Sequence, residues 1–487
     1  MTPARWSMAS AETMSRTVAQ TVTQEETLTA RFTGRSAAET GRAIVDLVRS
    51  EGVVSRVELA ERSGLTGASI SRTVKRLLDE RLLIEVGHGD STGGKRPTLL
   101  ELNTVGRFAV GISVDDARLT YVLINLRGAV VGELVSAGSG LAAPRVVVER
   151  VAQDVQSLLA RHEIGSTRDV VGIGVAAAGR LDARGVAMRS SREATEWEQF
   201  ALGTALEEAT GLPVTLEHDY VCAALGEFWV GRVPVTADFV CFYAATGFGG
   251  GIVLEGAVYR GSSFNAGEIG HMILEAGGPQ CTCGSRGCLE ALAGPRTVVR
   301  QALADAGLAR RFALTGADDR IRPEFAAIAG AAEAGDAGCL RLIEESARYV
   351  GAAILSLANV MDLDRVVLSG PTFTEAGSIY LRAARDAVGR LSFMRQVHPV
   401  TIELSQLGLQ SAAIGAATVA LDGNLLTAKT GRSPATPTGT AEHIGSSRRQ
   451  PIGSIIRPSW SALSTPPPTA PAHSPATIPE PRSRTKE

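Results

Sequence analysis

The sequence has almost no net charge: 49 lysines and arginines face 51 aspartates and glutamates, leaving −2 at neutral pH. A chain that binds nucleic acid through its whole surface is therefore excluded, and any basic footprint has to be local. No apolar run approaches the ~18 residues that cross a bilayer. The first 35 residues are rich in Ser, Thr and Ala and hold no apolar leader core, so the expectation is a loose tail and a cytoplasmic location. Lysine is nearly missing, with only Lys75, Lys95, Lys429 and Lys486; that scarcity reads as genome composition rather than function. Cysteine is scarce too, at six in 487 residues, and nothing in the leading segment points to an oxidising compartment.

What is present is enough for several domains. At 487 residues, 44% hydrophobic and 21% charged, the chain is an ordinary soluble globular composition, too long for one domain. Helical periodicity begins at Ser36. Ile44, Leu47 and Val48 give one apolar face that Gly52 ends, and Ser55 with Glu58 forms a capping box for a short helix stopped by Gly64. Thr66 is a suitable N-cap for the next helix, whose stripe is Ile70, Val74, Leu77 and Leu78. That spacing turns Ala68, Ser69, Arg72, Lys75 and Arg76 outward. Two helices joined by a glycine turn, the second small and basic outside, make a helix-turn-helix.

The runs 82–87 and 98–103 then read as two strands, and the loop between them carries Lys95 and Arg96 behind two glycines, as a wing would. Residues 36–104 are thus expected to form an α+β winged helix-turn-helix domain. It is neutral overall, with ten basic and ten acidic residues from Ala37 to Asn103, but positive on the recognition helix and wing. Thr66, Ser69, Ser71, Arg72, Lys75, Arg76, Lys95 and Arg96 are its candidate DNA contacts; the alternative is a winged helix used only for protein contacts. One short recognition helix reads one half-site, so a homodimer or tetramer on operator DNA is expected.

The stretch from Ala266 to Ala291 concentrates the chemistry. Cys281, Cys283 and Cys288 surround Gly284 and Gly287, and His271 lies ten residues earlier. Three thiolates and an imidazole suit a closed tetrahedral zinc site, structural because no position stays open for water. A disulfide is the alternative. A DNA-reading zinc finger fits less well, since Arg286 is the loop's only basic residue and no reading helix follows.

The string GE-IGH followed by CxCGxxGCLE resembles the motif of the ROK family, named for repressors, open reading frames and kinases. The resemblance implies an α/β, two-lobed, actin-like sugar-kinase fold (the hexokinase/Hsp70, ribonuclease H-like ATPase architecture) over residues 105–426. The element order supports it: β-type runs at 108–116, 119–125 and 129–135, a helix near 144–161, a strand at 170–177, and a second set from 237 completed by 341–360, 365–370 and 414–421. From 427 onward eleven of the 21 prolines occur and apolar periodicity stops; a disordered Pro/Ser/Thr-rich tail over 427–487 is expected.

Family members are either sugar kinases or winged-helix regulators, and the phosphate loops separate the two. The kinases' first loop reads approximately D-x-G-G-T; here Ser113, Asp115, Asp116 and Ala117 stand in place of the aspartate, both glycines and the threonine. Two carboxylates would repel a polyphosphate and their Cβ atoms would block its approach. The second loop, residues 246–251, still fits. Asp219 matches the kinase base but follows His218 where an amide is usual, so it reads as a hydroxyl acceptor rather than a working base. Glu268, His271 and Glu290 match the family's sugar contacts, and carboxylates suit hydroxyl donors. His271 would hold zinc with one nitrogen and a hydroxyl with the other. Departures at Glu193, Ala178 and His218 leave open the sugar's identity, a non-sugar ligand, or none.

The sequence therefore reads as a DNA-binding transcriptional regulator of carbohydrate metabolism, of the repressor type. Its ligand is a sugar or sugar derivative, its cofactor is structural zinc, and no catalysis is expected. The competing reading is an ATP-dependent hexose or N-acyl-hexosamine kinase.

Overall fold

The computed structural model describes residues 36–89, 96–140, 142–164, 169–181, 187–188, 195–198, 200–231, 233–234 and 237–424. The tails expected at 1–35 and 427–487, together with Lys95 and Glu193, lie outside the described residues.

Three helices and a small sheet open the described residues. Helix α1 (Ala37–Glu51) starts at a reciprocal capping box between Ser36 and Glu39, which satisfies two of the orphan amides at a helix start. Helix α2 (Arg56–Ser63) repeats the device with Ser55 and Glu58 and stops at Gly64, φ 66°, where a side chain would be strained. Helix α3 (Gly67–Asp79) is capped by Thr66, whose hydroxyl accepts from the Ser69 amide. Ile70, Val74 and Leu77 are fully buried along one face of α3, each worth about 1.5–3 kcal/mol of apolar burial. The strands Leu83–His88 and Thr98–Leu102 pair antiparallel, with the short strand Val54–Ser55 on the other edge of Thr98–Leu102. This is a winged helix.

Two five-stranded sheets follow. In the first, the meander Phe108–Val114, Arg118–Asn125 and Val130–Ala137 is joined by Val170–Ala177 and Val214–His218, both parallel additions, in the spatial order 214–218, 170–177, 108–114, 118–125, 130–137. In the second, Phe239–Ala244 pairs antiparallel with Phe248–Leu254 and parallel with Arg365–Ser369, and Ala257–Val258 and Thr401–Leu404 form the edges. Two repeats of one β-β-β-α-β plan give the two lobes. The second lobe's largest helices, Ala337–Met361 and Pro371–Leu391, pack on each other and bury Val350, Ile354, Tyr380 and Ala384.

One grouping changes. The run 414–421, assigned by sequence to the second lobe, forms helix Ser411–Asn424 and returns to the first. Its small residues allow that return. A Cβ on Gly111 of the first sheet would lie 1.9 Å from the Ala413 carbonyl, so helix and sheet meet backbone to backbone. The same face merges the winged-helix core, through Ile44, Leu59, Ile70 and Leu77, with Val122, Ile124, Ala417 and Leu421 in one apolar cluster.

Candidate functional site

The strand Val214–His218 ends where the helix Asp219–Trp229, here called the cleft helix, begins, so His218 and Asp219 stand at the C-terminal edge of the first sheet. Asp219 is half-buried, and its carboxylate accepts from the Tyr220 amide at 2.8 Å. Burial pushes its pKa up to about 7, against that hydrogen bond, with Asp115 and Glu268 raising it further. His218 is fully buried. Its Nε2 donates to the Phe264 carbonyl at 3.1 Å, its ring stacks on Tyr220 at 4.8 Å, and its Nδ1 has no partner. His218 therefore joins the two lobes through its Nε2. Beside it, Arg260 of the second lobe donates to Glu217 of the first at 3.0–3.1 Å.

The second lobe contributes a loop whose backbone is folded back on itself. Gly284 and Gly287 have φ of 96° and 75°, and a Cβ on Gly287 would lie 1.7 Å from the Glu275 carbonyl, so only glycine fits there. The Cys281 amide donates to the Ser285 carbonyl at 2.8 Å, and Ile273 bridges Cys288. The result brings His271, Cys281, Cys283 and Cys288 together, with their ligand atoms within 4.8 Å of one another.

The edges fit a metal. Cys281 Sγ lies 3.6 Å from His271 Nδ1, and Cys283 Sγ lies 3.7 Å from Cys288 Sγ. A tetrahedron with bonds of ~2.3 Å to sulfur and ~2.0–2.1 Å to nitrogen has edges of about 3.5–3.8 Å. All three cysteines are free thiols. Burial and the neighbouring sulfurs push Cys288 up to about 12, while the Ser285 backbone pulls Cys283 down to about 7. A divalent cation would let all three sulfurs lose their protons together.

His271 ties this cluster to the cleft. Its Nε2 faces Glu268 Oε2 at 4.0 Å, and Glu268 also accepts from the Tyr220 hydroxyl at 3.4 Å. Glu290 is raised by burial and lowered by His271 and the Phe248 amide. Asp219, Glu268, His271 and Glu290 thus share one electrostatic neighbourhood, an acceptor-rich surface suited to hydroxyl donors. Tyr220, which links Asp219 to Glu268, is a member the sequence reading did not single out. Its ring lies against Gly249 and Gly267, and its carbonyl against Gly251; an aromatic residue directly after Asp219 is the sequence signal that could have found it.

A family model described as "ROK family" matches residues 132–423, more than half of the chain. The chain belongs to the ROK family. A model described as "Winged helix-turn-helix DNA-binding" matches residues 38–84. The xylose repressor of Caldicellulosiruptor bescii is 26% identical over 365 residues, 74% of this chain and 90% of that protein. The DNA-binding transcriptional dual regulator NagC of Escherichia coli K12 is 27% identical over 380 residues, 77% of this chain and 90% of that protein. The crystal structure of a ROK family transcriptional regulator, a homolog of the E. coli MLC protein, superposes with TM-score 0.64 at 24% identity over 80% of this chain and 98% of that one, which speaks to the fold alone.

The turn at residues 115–117 of this ROK chain is closed on itself. Asp115 accepts from the Ala117 amide at 2.8 Å, and the Ser139 hydroxyl donates to Asp116 at 3.0 Å. The amide of Ala117, which a phosphate could otherwise have used, is already engaged by a side chain. The second loop's glycines have a local reason: a Cβ on Gly249 would lie 2.2 Å from the Tyr220 ring, and one on Gly247 2.5 Å from Glu290.

The winged helix presents Thr66, Ser71, Arg72 and Lys75 exposed on α3, and Ser69 half-buried; no acidic residue lies in the first turn of α3. Arg76 is engaged differently. Its guanidinium donates to the Ala37 carbonyl at 2.7 Å and anchors α1 to α3. Arg96 is exposed at the base of the wing.

Proposed function

We propose that the chain is a sequence-specific DNA-binding regulator, of the repressor type, that responds to a sugar or sugar derivative held in a kinase-like cleft. The observation that carries this reading is one chain with a winged helix exposing Arg72 and Lys75 and a cleft whose carboxylates Asp219, Glu268 and Glu290 stand beside a phosphate loop occupied by its own side chains. The names of the relatives support it, since both the xylose repressor and NagC regulate transcription. Catalysis is not part of the proposal: the Ala117 amide is taken by Asp115 and two carboxylates stand where a polyphosphate would approach, so Asp219 has no nucleotide toward which to activate a hydroxyl.

In the same reading zinc is held by His271, Cys281, Cys283 and Cys288. It fixes the loop that carries Glu268 and Glu290 against the cleft. Two copies would read two half-sites of an operator through Arg72, Ser71, Lys75 and Arg96.

A thermal-shift panel on the zinc-loaded chain tests the proposal, with D-xylose, D-glucose, N-acetyl-D-glucosamine and Mg-ATP each alone and each sugar with Mg-ATP. A ligand that binds only the folded state raises the melting temperature. A shift with one sugar and none with Mg-ATP is expected. A clear Mg-ATP shift, followed by sugar-dependent ADP release, would replace the regulator reading with a kinase.

A further inference from the structure

The cleft helix runs between the two sheets, packed on helix 411–424 on one side and on the second-lobe strands Phe239–Ala244 and Phe248–Leu254 on the other. It begins at His218 and Asp219 in the cleft and ends at Trp229, where the Arg49 guanidinium of α1 lies 3.7 Å from the Trp229 ring centroid. The cleft and the DNA-binding domain are thus the two ends of one eleven-residue helix. Arg49 is held over the ring by Asp46 of its own helix, with its side chain only 16% exposed.

A second helix runs beside the first. Ser411–Asn424 starts where Ser369 of the second lobe donates to Ser411 at 2.8 Å. In its last turn Asp422 lies 3.6 Å from Arg42 of α1. The two helices cannot slide past each other: a Cβ on Gly415 would lie 1.6 Å from the Cys222 carbonyl of the cleft helix. Glu227 adds a tie by accepting from Ser405 of the second lobe. Arg42, Asp46, Arg49 and Asp422 surround a cavity of about 10 Å³, room for one water.

We propose that the cleft helix and helix 411–424 form a strut that carries lobe movement to the winged helix through the Arg49–Trp229 contact and the Arg42–Asp422 pair. The proposal deepens the regulator reading above and rests on it for its purpose, though its mechanics need no ligand. Lobe movement changes the bonds at His218, Glu217 and Glu227; the rigid helix pair passes the change to α1; and α1 packs on α3, the reading helix. Such coupling is a property of a two-state element biased at both ends.

Hydrogen exchange read by mass spectrometry on the full-length, zinc-loaded chain tests it without any sugar. His218→Ala and, more mildly, Glu217→Gln loosen the cleft end. Each is expected to speed amide exchange across residues 37–51 by about fivefold or more, the lower range of measured site-to-site coupling. In a Trp229→Leu background the same cleft variants are expected to change that exchange by less than twofold, and Trp229→Phe, which keeps an aromatic face, to restore the response. If His218→Ala does not fold, by far-ultraviolet circular dichroism, Glu217→Gln carries the comparison. Unchanged exchange over 37–51 in the folded cleft variants, or an equal response with Trp229→Leu, overturns the strut. A chain that passes this test but shifts with no sugar keeps the strut and loses the sugar reading.

Discussion

Replacing Asp219 with Asn should make the protein more stable, and increasingly so as pH rises. Asp219 is half-buried as a residue, but desolvation of its carboxyl, with Asp115 and Glu268 nearby, pushes its pKa up to about 7 from an ordinary 3.8. Burial favours the protonated form, the reverse of the usual carboxylate case. The folded state therefore keeps a proton that the unfolded chain has already released between those two values, and stability falls as pH rises through that window. A gap of about three units corresponds to roughly 4 kcal/mol at the upper end, since one unit is 1.36 kcal/mol. Asn is neutral at every pH, has the same shape, and retains an oxygen to accept from the Tyr220 amide. Comparison should begin near pH 5, above the acid range where zinc ligands protonate; roughly 2–3 kcal/mol of the difference then remains to appear by about pH 8.5. Urea unfolding of both proteins at paired pH values measures it. A difference independent of pH, or a variant less stable at high pH, would refute the burial argument. A sugar hydroxyl that needs a charged acceptor should bind the variant more weakly at high pH even as the fold gains stability.

Three further outcomes follow from placed residues. Cys288→Ser should cut bound zinc from about one ion per chain to near none by elemental analysis, because a closed tetrahedral site does not tolerate losing a thiolate; retained stoichiometry would remove Cys288 from the ligand set. Arg72→Ala should weaken specific DNA binding by ~1–3 kcal/mol if Arg72 reads a base, whereas Arg76→Ala, which frees the Ala37 carbonyl, should lower the melting temperature and leave base preference intact; gel-shift titrations beside melting curves separate the two. Gly415→Ala should destabilise by ~1–3 kcal/mol or more through overpacking, since its methyl would enter the Cys222 backbone, and an unchanged melting curve would contradict that packing.

The contrast between Arg72 and Arg76 shows what the sequence could and could not reveal. Local rules were fully written: Ser36 with Glu39, Ser55 with Glu58, and Thr66 each cap the helix they precede, because a cap needs partners three residues away. The metal cluster was legible for the same reason, its three sulfurs spanning eight residues. Periodicity also turned Arg72 and Arg76 to one face of α3. It could not say that Arg76 would meet the start of α1, 39 residues earlier. His218 is a parallel case: its place in the motif could not say that its Nε2 would meet the Phe264 carbonyl, 46 residues away. Helix 411–424 was the largest misplacement. Its run of Ala and Gly carries almost no amphipathic pattern, since close backbone contact on several sides selects small residues without choosing a face. What sequence hides here is which distant backbone a small residue lets in, and those contacts, at Gly111, Gly415 and Cys222, are the ones that join the cleft to the DNA-binding domain.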